Sequence, residues 1–217
     1  MKKRNSFGIF TLVLILSLCG CTQDKIPMSS SSDIQKEQDT LPEAEITPEE
    51  EPFLYGYQNL NEEEKTRYRQ ILAGIENYED SVTVEACSEE EINRVSNLVF
   101  VDHPEIFWLE QQKYSFNQKE NSDVDLLELN LVYNMEKDEI EDTKRQIEAK
   151  AEEWSQELSN CENEYDKIKY VYEFLGKNVL YDSESENNQN IQSVFLNQST
   201  VCMGFAKATQ YLLVRNG

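Results

Sequence analysis

The chain has a single histidine among its 217 residues, and its five cysteines follow no metal-binding spacing. A structural zinc site needs four Cys or His ligands, most often arranged as closely spaced pairs. Cys87, Cys161 and Cys202 are instead far apart along the chain. We therefore expect no metal site, and no cofactor of another kind is indicated.

Basic residues are also scarce. Only 20 Lys and Arg stand against 42 Asp and Glu, which gives a formal net charge of −22 at pH 7. Nucleic acids and anionic lipid surfaces repel a protein of this charge. We therefore exclude nucleic acid as a partner and attribute the acidity mainly to solubility.

Long apolar runs are missing as well. Residues 7–18 are almost wholly apolar, but a helix that spans a bilayer needs about 20 such residues. Three basic residues, Lys2, Lys3 and Arg4, precede this run. A short apolar run behind a basic start is typical of an export signal.

The end of this signal has the pattern of a lipoprotein cleavage site. Gly20 stands directly before Cys21, whereas the bulky Leu18 makes Cys19 a poorer acceptor. We predict a lipoprotein signal peptide over residues 1–20 and lipid attachment at Cys21. The protein would then be anchored to a bacterial cell membrane and face away from the cytoplasm, with a formal net charge of −25 after cleavage. An ordinary secretory signal or a short anchor is the alternative.

Residues 21–52 have the composition of a linker. They include four consecutive serines at positions 29–32, four prolines and many acids, with almost no aromatic residue. Such a segment cannot bury enough apolar surface to fold. We predict a disordered acidic tether that extends to Pro52, with ordered structure beginning near Phe53.

Residues 53–135 carry signals for both helices and strands. Asn61 and Ser88 are each followed three residues later by a glutamate, which is the pattern of a capped helix start. Apolar residues at helical spacing follow both positions: Tyr68, Ile71, Leu72 and Ile75 after the first, and Ile92, Val95, Leu98 and Val99 after the second. Alternating segments at 81–84, 114–116 and 127–133 predict strands, the last two paired.

The pattern of residues 136–217 predicts three successive helices. The first, 136–159, carries the stripe Ile140, Ile147, Trp154 and Leu158, with a coiled coil as the minor alternative. The second is capped by Asn160 or Asn163 and is expected to bury Ile168, Tyr170, Val171, Phe174 and Leu175. The third begins at Cys202, where Ser199 or Thr200 can provide the cap. A helix start favours a thiolate over a thiol, so Cys202 is a candidate nucleophile.

The sequence Cys-Met-Gly-Phe-Ala-Lys-Ala from Cys202, ahead of Tyr211-Leu212-Leu213, closely resembles the bacterial transglutaminase-like proteins. These are relatives of the papain-like cysteine enzymes. The Asn-Val-Leu-Tyr-Asp turn at 178–182 and the segment at 192–195 are similar to family elements in order and spacing. The segment at 102–109, which contains His103, resembles a packing element of the family.

The resemblance implies an α+β fold. A helix-rich N-terminal region (53–135) would precede the incomplete N-terminal half of a transglutaminase-like (papain-like) domain (136–217). Family members supply a histidine and then an aspartate tens of residues after the cysteine, whereas this chain ends at Gly217. We therefore expect a truncated member, inactive as this fragment, that has the nucleophile but lacks its base and orienting acid. His103 precedes Cys202 and is expected to be structural.

The resemblance also implies the chemistry. Cys202 would attack an acyl or amide carbon of a peptide or protein, and its own backbone N–H would stabilise the oxyanion. If water accepts the acyl group, the enzyme is a peptidase or amidase; if an amine accepts it, the enzyme is a transglutaminase. An external location makes cell-wall peptides candidate substrates. A non-enzymatic surface-binding or scaffold lipoprotein is the alternative function, and a buried structural Cys202 is the alternative role for the thiol.

Two further expectations concern packing. The absence of the family's downstream strands predicts that Phe205, Tyr211, Leu212 and Leu213 are exposed. Cys87 and Cys161 form either a disulfide or two isolated, half-buried thiols.

Overall fold

The computed structural model describes residues 41–110, 115–119 (as backbone) and 126–217. The predicted signal peptide, the lipidation site Cys21 and most of the predicted tether lie outside these residues. None of the helices in the described part of the chain is long and apolar enough to cross a membrane.

The N-terminal half is built on capped helices. A 3₁₀ turn (Glu51–Phe53) and a short helix α1 (Tyr55–Gln58) lead into α2 (Glu62–Glu76), and α3 (Glu89–Asp102) follows. The Asn61 side chain accepts from the Glu64 N–H at 3.0 Å, and the Glu64 carboxylate accepts from the Asn61 N–H at the same distance. Ser88 Oγ accepts from the Glu91 N–H at 3.1 Å. Both predicted helix starts are confirmed.

The sequence predicts that ordered structure begins near Phe53, but ordered contacts begin earlier in the chain. The Ala44 N–H donates to the Arg69 carbonyl of α2 at 2.9 Å, and the Arg69 guanidinium pairs with Glu43 at 2.7 Å. Ile46 packs against the hydrophobic core. Residues 43–52 are therefore held by α2, because a tertiary ion pair and a backbone hydrogen bond offset their polar composition.

A three-stranded antiparallel sheet contains β1 (Ser81–Glu85), β2 (Ser115–Lys119) and β3 (Leu126–Asn130), in the order β1-β3-β2. Leu129 of the central β3 is paired with Val82 on one side and Phe116 on the other. The three predicted strands are confirmed, although Tyr114, predicted to begin the second, lies outside the described residues and β3 ends at Asn130. Tyr133, predicted to lie in the last strand, forms an isolated bridge with Leu109 instead.

The next two helices are α4 (Lys137–Ser155), which ends in a 3₁₀ turn (Gln156–Asn160), and α5 (Glu164–Asn178). The predicted stripe of α4 and its 3₁₀ turn is confirmed, since its four residues Ile140, Ile147, Trp154 and Leu158 are all buried. Asn163, one of the two predicted caps, accepts from the Asp166 N–H at 3.0 Å.

The expectation that Ile168 is buried is wrong, because its exposed fraction is 52%. The face of α5 that packs on the core runs through Tyr170, Val171, Phe174 and Leu175, and Ile168 lies at the edge of that face. Tyr165 and Tyr172 are exposed on the same outer side of α5.

The C-terminal part places two short strands before the last helix. β4 (Leu180–Tyr181) and β5 (Ser199–Thr200) form a parallel pair, with a π-helical turn (Ser193–Asn197) between them in sequence. Helix α6 (Cys202–Asn216) follows β5 directly. A single hydrophobic cluster extends from Leu54 to Leu212. The described chain thus mixes helices with two small sheets, as the α+β expectation requires.

The expected exposure of α6 is wrong. Leu212 is 2% exposed, and Phe205, Tyr211 and Leu213 are half-buried. The Tyr211 ring packs edge-on against Phe195 with centroids 5.6 Å apart. Neighbours within the described chain therefore cover part of this helix.

The disulfide alternative for Cys87 and Cys161 is not realised. Both thiols are free and half-buried, as in the second of the two alternatives.

Candidate functional site

Cys202 is the first residue of α6 and its side chain is exposed. It lies two residues beyond the parallel pair of β4 and β5. The Leu180 N–H donates to the Gln198 carbonyl, and the Asp182 N–H donates to the Thr200 carbonyl, both at 2.9 Å. Cys202 therefore stands where an anchored strand turns into a helix, with its thiol directed away from the core.

No side chain caps the N-terminus of α6, so the predicted cap by Ser199 or Thr200 is wrong. The Thr200 hydroxyl is buried and donates to the Asn188 carbonyl at 2.9 Å, while it accepts from Ser193 Oγ at 2.7 Å. The Ser199 hydroxyl lies 3.4 Å from Asp182 Oδ2. The N–H groups in the first turn of α6 thus lack a side-chain acceptor, which leaves them available to an anion.

Gly204 allows α6 to begin so close to β5. A Cβ atom at this position would overlap the Thr200 hydroxyl and lie 3.1 Å from the Asn188 carbonyl oxygen. The glycine of the Cys-x-Gly sequence is thus explained by close packing of the first helical turn. Asn188 belongs to the polar segment 183–190, which precedes the π-helical turn.

That polar segment is tied to β5. Ser185 Oγ donates to the Ser199 carbonyl at 2.6 Å, and the Val201 N–H donates to the Asn188 carbonyl at 3.4 Å. Asn188 Nδ2 in turn donates to the Ser183 carbonyl at 2.7 Å. These bonds hold the backbone on both sides of the thiol.

Exposed apolar side chains surround the start of α6. Tyr181 pairs with Thr200 in the sheet and stacks on Phe205, with ring planes 9° apart and centroids separated by 6.5 Å. The exposed fractions of Leu180 and Tyr181 are 73% and 69%, and Met203 is exposed as well. An apolar surface of this kind could contact the side chains of a bound peptide.

The histidine lies elsewhere. His103 follows the last residue of α3 as its C-cap, and its Nδ1 is 2.7 Å from Glu105 Oε1. Nε2 is buried and has no hydrogen-bond partner among the described residues. His103 lines a cavity together with Tyr211 and Arg215, near the far end of α6. Cys202 and Tyr211 are separated by about 14 Å along the helix axis. This arrangement supports a structural role for His103.

His103 should make stability depend on pH. Burial lowers the pKa of the imidazole, but the Glu105 carboxylate and the charges of Asp102 and Glu76 outweigh this, so the pKa is raised above 6.5. Protonated His103 thus stabilises the fold fully below pH 6.5, and this contribution is lost as the pH rises through the raised pKa. We expect the urea midpoint to fall between pH 6 and pH 8.

The matched variant for this test is Glu105→Gln, which removes the carboxylate next to His103. Its urea midpoint should change less over the same pH range, while exposed Glu90→Gln should follow the parent chain. An equal fall in the parent and in Glu105→Gln would show that another group causes the pH dependence.

Sequence reasoning missed Lys207, whose side chain is buried on α6. Desolvation lowers the pKa of its ammonium to about 8, although the Glu105 charge opposes the shift. The sequence does indicate that Lys207 is buried, since it lies three residues after Gly204 and one before Ala208, on the apolar stripe of the helix. Because the pKa of Lys207 is lowered in the folded state, the folded protein gains stability as the pH rises above about 8. This contribution has the opposite sign to that of His103.

The described residues contain no group of three or more His, Cys, Asp or Glu side chains that could hold a metal ion. In comparison with known proteins, the chain matches no protein-family model and no curated protein.

Proposed function

We propose that this chain belongs to a lipid-anchored, surface-exposed transglutaminase-like protein in which Cys202 is the nucleophile. Its reaction would be acyl transfer or amide hydrolysis on peptide or protein substrates, with cell-wall peptides among the candidates. The observation that carries the proposal is the exposed thiol of Cys202 at the uncapped start of α6. The resemblance of the sequence around Cys202 supplies the reaction class.

The reaction begins when the Cys202 thiolate attacks a carbonyl carbon of the substrate. The carbonyl π electrons move to the oxygen, and the N–H groups of the first turn of α6 donate hydrogen bonds to that oxyanion. The tetrahedral intermediate then collapses, the bond to the leaving amine breaks, and a thioester on Cys202 remains. Attack on the thioester breaks its C–S bond and returns the Cys202 thiol; water as the attacking group releases a carboxylic acid, and an amine forms a new amide.

A leaving amine must receive a proton, and this step needs a general acid. His103 is unsuited because it contacts Glu105 near the opposite end of α6. We propose that a histidine and a carboxylate from outside residues 1–217 complete the site, as the resemblance implies. The 217-residue chain alone should then form a thioester only from activated acyl donors, whose leaving groups need no proton.

This property can be tested on the full chain with p-nitrophenyl acetate. Mass spectrometry of peptides should find the acetyl group on Cys202 before it appears on the half-buried Cys87 and Cys161. The rate at Cys202 should be several-fold higher in the native chain than in urea, because the N–H groups of α6 stabilise the oxyanion. Cys202→Ser should abolish the fast phase, and Cys87→Ser should leave it unchanged.

Iodoacetamide provides the matched control, because alkylation forms no oxyanion. Folding should accelerate acetylation of Cys202 more than alkylation of Cys202. If folding changes both rates equally, the start of α6 gives no oxyanion stabilisation and the enzyme proposal fails.

A non-enzymatic scaffold remains the second candidate, favoured by the exposed apolar residues Tyr165, Ile168 and Tyr172 on α5. Such a face is typical of a surface that binds another protein. The reading frame past the Gly217 codon separates the two candidates. A continuation with a histidine and an aspartate at strand-like positions supports the enzyme, and a continuation without them supports the scaffold.

A further inference from the structure

A cavity of about 440 Å³ lies at the end of α6 opposite Cys202. Its walls come from the segment 45–54, from α2, from the turn after α3 and from the last turns of α6. The apolar part of the lining consists of Ile46, Phe53, Leu54, Leu72, Pro104 and Val214, with the ring of Tyr211. This volume lies within the range of small-molecule sites.

The polar part of the lining is mostly acidic, with five glutamates: Glu45, Glu49, Glu50, Glu76 and Glu105. The two cationic groups in the lining already have partners. Arg215 pairs with Glu152 at 3.1 Å, and His103 contacts Glu105 at 2.7 Å. Glu45, Glu49, Glu50 and Glu76 are exposed to solvent, and Glu45, Glu49 and Glu76 form no ion pair with the described residues. The cavity therefore combines apolar walls with more carboxylates than cationic groups.

Glu76 is the most informative of these carboxylates. Desolvation raises its pKa, and the neighbouring charges of Glu105 and Glu50 raise it further, whereas His103 and Lys144 lower it. A carboxylate in this environment gains from a cation that enters the cavity, because the cation offsets both the desolvation and the repulsion. Leu72, one helical turn before Glu76, provides apolar surface next to that carboxylate.

We propose that this cavity binds an alkylammonium group, that is, an ammonium on an aliphatic chain. The methylene groups would contact Leu72, Phe53 and Val214, and the ammonium would donate to the carboxylates of Glu76 and Glu49. A free polyamine and a lysine side chain of a peptide share this chemistry. The proposal does not depend on the reactivity of Cys202, which lies near the other end of α6.

Calorimetric titration of the full chain in a non-ionic detergent tests the proposal. Spermidine and a trilysine peptide are the two probes, and the tighter of them identifies the source of the ammonium. We expect saturable binding that weakens with salt. Glu76→Gln should weaken it roughly tenfold, because the acceptor loses its negative charge and a charge-assisted hydrogen bond becomes an ordinary one. Exposed Glu90→Gln removes the same charge away from the cavity and should leave the affinity unchanged.

Val214→Trp is the second variant, since it fills the cavity without a change in charge. Its binding should be weaker than that of the parent chain while its urea midpoint stays close to the parent value. Equal losses in Glu76→Gln and Glu90→Gln, or unchanged binding in Val214→Trp, would mean that amines are attracted only by the net charge. Mg²⁺ that competes as well as spermidine at equal ionic strength would likewise overturn the proposal.

Discussion

Replacing Gly204 by alanine is expected to destabilise the fold by about 3 kcal/mol, the upper part of the usual range for overpacking. The added methyl group would overlap the buried Thr200 hydroxyl and press on the Asn188 carbonyl. Neither neighbour can retreat easily, because Thr200 donates to Asn188 and accepts from Ser193. Urea unfolding followed by tryptophan fluorescence measures the loss.

Gly176 in α5 provides the matched control, since a Cβ atom there would have no neighbour within 4 Å. Gly176→Ala should stabilise the chain by up to about 1 kcal/mol through helix propensity. In a Thr200→Ala background, which lacks the obstructing hydroxyl, Gly204→Ala should cost much less than in the parent chain. An equal cost in both backgrounds would show that Thr200 is not the obstacle.

Replacing Asp102 by asparagine is expected to cost about 3 kcal/mol, because a buried carboxylate that accepts three hydrogen bonds would become an amide. Oδ1 accepts from the Gly56 N–H at 2.8 Å, and Oδ2 accepts from the Tyr57 N–H at 2.8 Å and the Tyr68 hydroxyl at 3.0 Å. An amide has one oxygen, so its NH₂ group would face at least one of these donors. Urea unfolding gives the change in free energy.

The donor role of Tyr68 is maintained by its surroundings. Burial raises the pKa of its phenol, and the Asp102 charge raises it further, so the hydroxyl stays protonated. Asp142→Asn is the control for Asp102→Asn, since Asp142 is exposed and pairs with Arg145 one helical turn away. That variant should change stability by less than about 0.5 kcal/mol. Equal effects at the two positions would contradict the account of Asp102 as a central acceptor.

Local signals explain which parts of the fold could be predicted. Asn61 and Ser88 cap helices through bonds to residues only three positions away, so the sequence alone contains both partners. Tyr68 and Val95 likewise lie on stripes whose period is that of an α-helix, and both are fully buried.

Two of the misses depend on partners distant in sequence, whereas Ile168 is exposed because it lies at the edge of the packed face of its own helix. Glu43 is ordered by Arg69, which is 26 residues away. Threonine is a residue type that often caps helices, but the Thr200 hydroxyl points inward because it donates a hydrogen bond to the Asn188 carbonyl.

The candidate site likewise has one part that the local sequence predicts and another that depends on residues distant in sequence. The position of Cys202 at a helix start follows from the local sequence, and α6 begins at that residue. The reason for Gly204 becomes visible only when β5 and Asn188 are placed beside it. The cavity that contains Glu76 could not be predicted at all, because four separate segments form it.

Gln210 of α6 has a consequence for the order of events during folding. Its Nε2 donates to the Val101 carbonyl at 2.8 Å, across a sequence separation of 109 residues. Because a contact of such long sequence separation costs loop-closure entropy, the end of α3 should gain this partner late in folding. Until then the chain exposes the surface that α6 later covers.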